Sequence, residues 1–280
     1  MLVDKPAGPT SHDVVRAVRR TFGVRAVGHT GTLDPFATGL LVLLLGRATR
    51  LARFVESEAK TYRATALLGR ATDTEDNTGQ VIGPVYEGAA LDEATVLQAF
   101  EGMRGPHEQR PPAFSAKKVD GVRSYTLARQ GAATLLRSVP VTVHGLEVLR
   151  YGWPEVEFRC TVSAGTYVRS LARDAGDALG IGAHLTTLRR EAIGRLRVES
   201  AVALDEIAPG MRVLSPADVV GHLPRVDLEE RDGQAVRHGR AVANAWGVHG
   251  TVAMLLEGEL LAVGTADDEV IRPTVVLEGA

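Results

Sequence analysis

Residues 28–46, "GHTGTLDPFATGLLVLLLG", join a loop rich in Gly and Thr to an unbroken apolar run. The run falls far short of the ~18 apolar residues that a membrane span needs, so it reads as a buried strand or helix turn. In the loop ahead of it, Asp34 precedes Pro35. Asp-Pro is a common turn dipeptide, because proline fixes its own φ and biases the preceding residue toward extended backbone. By itself the loop is a turn. Its surroundings decide whether the carboxylate has a chemical use.

Downstream, "KTYRATALLG" (60–69) alternates apolar and polar residues as a strand does, and "VEFRCTVSAG" (156–165) repeats the pattern. Upstream, "SHDVVRAVRRTFG" (11–23) offers Ser11 and Asp13 as caps, sets Val14, Val15, Val18 and Phe22 near helical spacing, and stops at Gly23. The polar face of that helix carries Arg16, Arg19 and Arg20. "LDEATVLQAFEGM" (91–103) and "YVRSLARDAGDALG" (167–180) read as further helices, with "RATDTEDNTGQV" (70–81) as a polar acidic turn. In "HEQRPPAFSAKKVDGVRSYTLARQG" (107–131), Pro111-Pro112 forces an extended start and the end reads as helical. After "ALDEIAPG" (203–210) the chain becomes acidic, with Val and Leu runs broken by Gly. These shifts suggest one large domain over 1–210 and a small one over 211–280.

A chain of 280 residues with 45% hydrophobic content has ample material for a core. A single cysteine, Cys160, excludes an internal disulfide framework and a cysteine-based metal cluster, and suits a reducing compartment. The N-terminal stretch lacks the charged-then-apolar pattern of a secretion signal, and a cytoplasmic protein is expected. The eight histidines form no HxxH-type pair, and the glycines fit neither GxxxxGK[ST] nor GxGxxG, so neither a bound metal nor a nucleotide cofactor is expected. Net charge is -2, yet residues 1–70 hold 11 Lys/Arg against 5 Asp/Glu while residues 201–280 hold 6 against 13. A basic face from the first part could meet a phosphate backbone.

Five stretches occur in order: "VDKPAGPTSHDVV", "GHTGTLDPFATGLL", "KTYRATALLGRATDTED", "RPPAFSAKKVDGVRSYTLARQG" and "SAGTYVRSLARDAGDALG". Together they resemble the TruB family of tRNA pseudouridine synthases. The resemblance implies an α+β fold with a mixed, largely antiparallel sheet and flanking helices over 1–210. It also implies a small β-rich PUA-like RNA-binding domain over 211–280, through "LLAVGTADDEVIRPTVVL". It further implies an isomerase that converts uridine 55 in the TΨC loop of tRNA to pseudouridine, without cofactor and after flipping the base out. Its partner is then the tRNA T-arm, and a monomer with no protein partner and no membrane is expected.

By the same resemblance Asp34 is the nucleophile, and attack at C6, attack at C1′ and a glycal route all stay open. Arg169 pairs with the nucleophile, Tyr62 stacks on the target base, and Tyr167 and Leu188 complete the pocket. His29 fills the gap left in the RNA loop. Asp76 matches an aspartate near the site, and its alternatives are a turn cap or a partner for an arginine. Lys5, Arg16, Arg19, Arg20, Lys117, Lys118 and Arg123 are expected to grip the RNA, with 107–131 a mobile thumb. Phe36 stands where a leucine is expected. An RNA-binding protein that keeps the scaffold without the chemistry is a rival reading, but it should lack Asp34, Tyr62 or Arg169, and all three are present.

Overall fold

The apolar run is strand, and the alternation at 60–68 is strand too, because each period places its large side chains where they are buried. The computed structural model describes residues 1–115, 136–211 and 213–277, and of 118–119 and 122–123 the strands alone. In chain order come β1 (Leu2–Lys5), α1 (Ser11–Phe22), β2 (Val27–His29), β3 (Thr38–Leu45), α2 (Ala52–Glu56), β4 (Lys60–Leu68), β5 (Ala71–Thr72) and β6 (Val81–Ile82). Then follow α3 (Glu93–Glu101), β7 (Gly105–Gln109), β8 (Lys118–Val119), β9 (Val122–Arg123), β10 (Val139–Gly152), β11 (Glu155–Val162), α4 (Val168–Ala178) and β12 (Ala183–Ile193). The remainder is β13 (Leu196–Arg197), β14 (Val202–Ala203), α5 (Pro216–Val219), β15 (Arg225–Leu228), α6 (Glu230–Arg237), β16 (Val242–Ala243), β17 (Gly250–Leu256), β18 (Glu259–Ala266) and β19 (Val270–Val276).

By compactness the chain falls into two units, one of 1–35, 40–57 and 194–280, the other of 36–39 and 58–193. In the second unit β12, β4, β11, β10 and β7 lie side by side in that order, every neighbour antiparallel. Along β4, Lys60, Tyr62, Ala64, Ala66 and Leu68 are buried and the residues between them are more open, as a period of two requires. Phe100 of α3 stacks tilted on Phe158 of β11, with ring centres 5.1 Å apart. The start of β3 runs parallel to β12, with Thr38 beside Arg189 and Gly39 beside Arg190. Gly39 has φ +99°, and a Cβ there would collide with the Arg190 carbonyl, so only glycine fits.

In the first unit the rest of β3 pairs antiparallel with β2, and β1 runs parallel to β14. Helix α1 ends where expected, at Gly23 with φ 64°. Its N-cap is Thr10, whose side chain forms a capping box with Asp13. Ser11, expected as a cap, is buried and bonded elsewhere.

The C-terminal part of this unit contains a five-strand sheet in the order β15, β17, β18, β19, β16, with a core that includes Val226, Val236, Val252, Met254 and Ile271. The segment after β3 docks on its last strand: Arg47 donates to the Leu277 carbonyl at 3.1 Å, and Arg53 donates to Thr274 Oγ1 at 3.2 Å. Overall the sheets are mixed and largely antiparallel, as expected. Among the described residues no helix is long and apolar enough to cross a membrane.

Candidate functional site

Asp34 sits between two residues whose backbone is tied down. The Ser11 hydroxyl accepts from the Leu33 N–H at 2.8 Å and donates to the Leu33 carbonyl at 3.1 Å, so one buried side chain satisfies both polar groups of the residue before Asp34. On the other side the Pro35 carbonyl accepts from the Gly8 N–H at 2.8 Å and from Lys5 Nζ at 3.3 Å. Lys5 Nζ also donates to the carbonyls of Pro6 at 2.8 Å and Pro9 at 2.9 Å.

This corrects the expectation that Lys5 grips RNA, since its side chain is fully buried and its ammonium is turned onto three proline-derived carbonyls. Prolines have no N–H, and the carbonyls crowding here need a donor from elsewhere. His29 is half-buried at the end of β2, opposite Leu43.

The second unit brings Arg169 and Asp76 together. Arg169 is the second residue of α4, two positions after the N-cap residue Tyr167, and is 3% exposed. One guanidinium nitrogen donates to the Thr74 carbonyl at 2.6 Å and lies 3.7 Å from Asp76 Oδ2, and the other donates to the Phe114 carbonyl at 2.9 Å. The Asp76 Oδ1 atom accepts from Thr74 Oγ1 at 2.7 Å, from the Thr78 N–H at 2.9 Å and from Thr78 Oγ1 at 2.5 Å. Both alternatives for Asp76, turn cap and arginine partner, are therefore realised at once.

Next to it Glu75 has φ 60°, accepts from Ser170 Oγ at 2.8 Å and pairs with Arg173. Burial pushes the Glu75 carboxyl above the usual carboxylate range, opposed by the Arg173 charge. Nothing in the sequence singles out Glu75, because a residue in an acidic turn looks solvated. A non-glycine residue forced into the left-handed region is the structural signal.

Tyr62 is largely buried on β4, flanked by Cys160 of β11 and Arg190 of β12. Leu188 is buried on β12 beside Ala64. Tyr167 is held by reciprocal bonds with Gln109, whose Oε1 accepts from the Tyr167 N–H at 2.8 Å while its Nε2 donates to the Tyr167 carbonyl at 3.1 Å.

Gln109 thereby corrects the picture of a thumb that is loose from residue 107 onward. Residues 107–109 are the end of β7, paired to β10, and Pro111, Pro112 and Ser115 are buried. Edge-strand pairing and the Tyr167 clamp fix this root. Positions 118 and 123, Lys118 and Arg123, are paired in the backbone register of the β8–β9 ribbon; Lys117 and the stretch expected to be helical lie outside the described residues. Of the helix arginines, Arg16 is exposed, while Arg19 donates to the Val27 carbonyl at 2.8 Å.

The Cys160 thiol is buried and pushed up to about 12, which leaves it an inert core residue. Among the described residues no group of three or more His, Cys, Asp or Glu side chains could hold a metal ion.

Residues 19–168 match the model of the TruB family pseudouridylate synthase N-terminal domain. A protein named tRNA pseudouridine synthase B from Mycobacterium sp. (strain KMS) is 42% identical over all of this chain and 96% of its own length. One with the same name from Thermobifida fusca is 41% identical, covering 100% of this chain and 98% of that protein. Among solved structures, a chain in the crystal structure of a Cbf5-Nop10-Gar1 complex superposes with a TM-score of 0.77 at 29% identity, covering 99% of this chain and 84% of that one. A chain of an H/ACA RNP bound to a substrate RNA containing 2'-deoxyuridine gives 0.73 at 26% identity, covering 98% and 83%.

Proposed function

The chain belongs to the TruB family of pseudouridylate synthases, and from that premise we propose that it converts uridine 55 in the TΨC loop of tRNA to pseudouridine by covalent catalysis at Asp34. The observation that carries the reading is the likeness along the whole chain to relatives named tRNA pseudouridine synthase B, in a sequence that keeps Asp34, Tyr62 and Arg169.

The reaction breaks the bond from uracil N1 to C1′, turns the base, joins C5 to C1′, and releases the C5 proton while N1 takes one up. No electrons are gained or lost, so one nucleophile that attacks and leaves again, with a group that accepts the C5 proton, is sufficient. Asp34 fills that role on a loop held through the backbone of both neighbours, which keeps a carboxylate in place. Attack at C6, attack at C1′ and a glycal route remain equally compatible with a carboxylate. Tyr62 offers an aromatic face to the target base, which leaves the folded RNA loop at a cost of about a few kcal/mol. Arg169 supplies a cation that no working pH can neutralise.

In this reading His29, Tyr167 and Leu188 contact the extruded uridine or the loop it leaves. Arg16, Arg20 and the segment 107–131 with Lys117, Lys118 and Arg123 meet phosphates. Residues 211–280 act as a PUA-like RNA-binding domain after a catalytic domain over 1–210. The enzyme works as a cytoplasmic monomer without cofactor.

The test is chemical mapping of pseudouridine in a T-arm stem-loop transcript incubated with the protein alone. Modification at the position equivalent to 55 is expected. Modification at another uridine, or none, overturns the proposal.

A further inference from the structure

Two arginines one helical turn apart, Arg169 and Arg173, bridge the same pair of segments from one face of α4. Arg169 binds the acidic turn at the Thr74 carbonyl and the thumb root at the Phe114 carbonyl. Arg173 binds the same turn at the Glu75 carboxylate and the same root at the Arg110 carbonyl, 2.9 Å away. Between them Ser170 donates to Glu75 Oε2 at 2.8 Å. The Glu75 carbonyl accepts from the Leu185 N–H of β12 at 3.1 Å, and Asp76 bridges the same residue. Glu75 is thus held at its main chain and at both carboxylate oxygens, and its φ of 60° is one that a glutamate adopts only when its surroundings impose it.

The direction of that constraint matters. A turn that needed only the left-handed conformation would use glycine, which enters it at no steric cost. Here the backbone strain is accepted together with a buried carboxylate, and what both achieve is to aim the next residue, Asp76, at Arg169. We propose that Glu75 is a positioning residue: its carboxylate, locked by Ser170 and Arg173, fixes the turn that holds Asp76 and the Thr74 carbonyl against the Arg169 guanidinium. The proposal rests on the reaction described above, because Arg169 counts only if that reaction uses it. Burial of the Glu75 carboxyl, which pushes it above the usual range, makes the Arg173 charge and the Ser170 hydroxyl necessary partners.

The experiment measures three quantities on the full chain with a T-arm stem-loop: the single-turnover rate at saturating enzyme, the Kd for the RNA, and Tm. The variants are Glu75→Gly, which removes the carboxylate and relieves the backbone, and Ser170→Ala, which removes one of its anchors and leaves the turn sequence intact. A misplacement of about 1 Å at a catalytic group costs on the order of a hundredfold in rate. Glu75→Gly is therefore expected to slow the single-turnover step by at least about tenfold with Kd within about twofold of the parent, whether Tm falls or rises. Ser170→Ala should move in the same direction by about threefold or more, on that same scale.

A purely structural Glu75 would lower Tm and leave the rate of the folded enzyme unchanged. A Glu75→Gly rate within about threefold of the parent, well short of the hundredfold scale, overturns the proposal; a loss confined to Kd does the same. Asp34→Asn, run alongside, separates the two levels. If it stays active, the proposed reaction fails. If it is inactive while Glu75→Gly matches the parent, only the role of Glu75 fails.

Discussion

The loop around Asp34 and the turn around Asp76 both present an aspartate from a Thr- and Gly-containing stretch, and each stretch has its own set of braces. Beside Asp34 the backbone of both neighbours is braced: Ser11 takes both polar groups of Leu33, and Gly8 and Lys5 take the Pro35 carbonyl. Around Asp76 the bonds go to the carboxylate itself, from Thr74, from Thr78 twice and from the Arg169 side. A nucleophile has to form and release a bond to substrate, and a loop braced through its backbone keeps it at a fixed place while it does so. A structural carboxylate can be bound by as many donors as reach it. Residue type does not separate the two stretches; the far-off groups that brace each of them do.

Three substitutions press on that contrast and a fourth is a control outside it. Asp34→Asn keeps the shape of the side chain and removes its nucleophilicity, so single-turnover pseudouridine formation should fall by at least about a hundredfold, with RNA affinity nearly unchanged. Turnover above about a hundredth of the parent rate would break the assignment. Asp76→Asn comes next. It keeps an acceptor for Thr78 and loses the charge facing Arg169, and with charge-assisted hydrogen bonds worth about 1.5–3 kcal/mol the rate should drop roughly tenfold to a hundredfold. A variant at the parent rate would show that the turn does not bear on Arg169.

Ser11→Ala leaves the Leu33 N–H and carbonyl without their partner in a buried place. We expect a loss of about 1–3 kcal/mol in denaturant-derived stability, with a smaller effect on rate than at either aspartate. Unchanged stability would mean that water or a shifted backbone replaces the hydroxyl.

The smallest effect belongs to Asp267, a turn carboxylate in the C-terminal sheet that takes no part in the contrast. The Val270 N–H, Arg272 and the Glu269 N–H hold its pKa down at about 2, below the ordinary 3.8. A carboxyl depressed in the folded state stabilises the fold above its unfolded pKa and loses that contribution as pH falls through its folded value. Asp267→Asn should therefore lower Tm slightly at pH 7, and the difference should fade between about pH 4 and 2, with the modification rate untouched throughout. A Tm difference that stays constant over that pH range would point to shape rather than charge.

Much of this was legible in the chain. Alternation at 60–68, the helix at 168–178 and the glycine stop at 23 follow from periods and caps that a few neighbouring residues determine. The candidate residues in "GHTGTLDPFATGL" and "SAGTYVRS" were legible as a pattern in order, and the family follows from that order.

What the sequence by itself determined is thus local: which stretches are strand or helix, where Asp34, Tyr62 and Arg169 fall on them, and that no cysteine framework is possible. Only the tertiary structure decided the partners. Lys5 counts toward a basic surface in any charge census, yet three carbonyls from Pro6, Pro9 and the distant Pro35 draw its ammonium inside. Ser11 looks like a helix cap one residue too late, and its hydroxyl instead serves Leu33. Glu75 looks like one charge among several in an acidic turn until Ser170 and Arg173, nearly a hundred residues on, close over it. Propensity and periodicity arise from neighbours along the chain, whereas the use of a polar side chain depends on which donors and acceptors the fold leaves without water, and those come from far away in sequence.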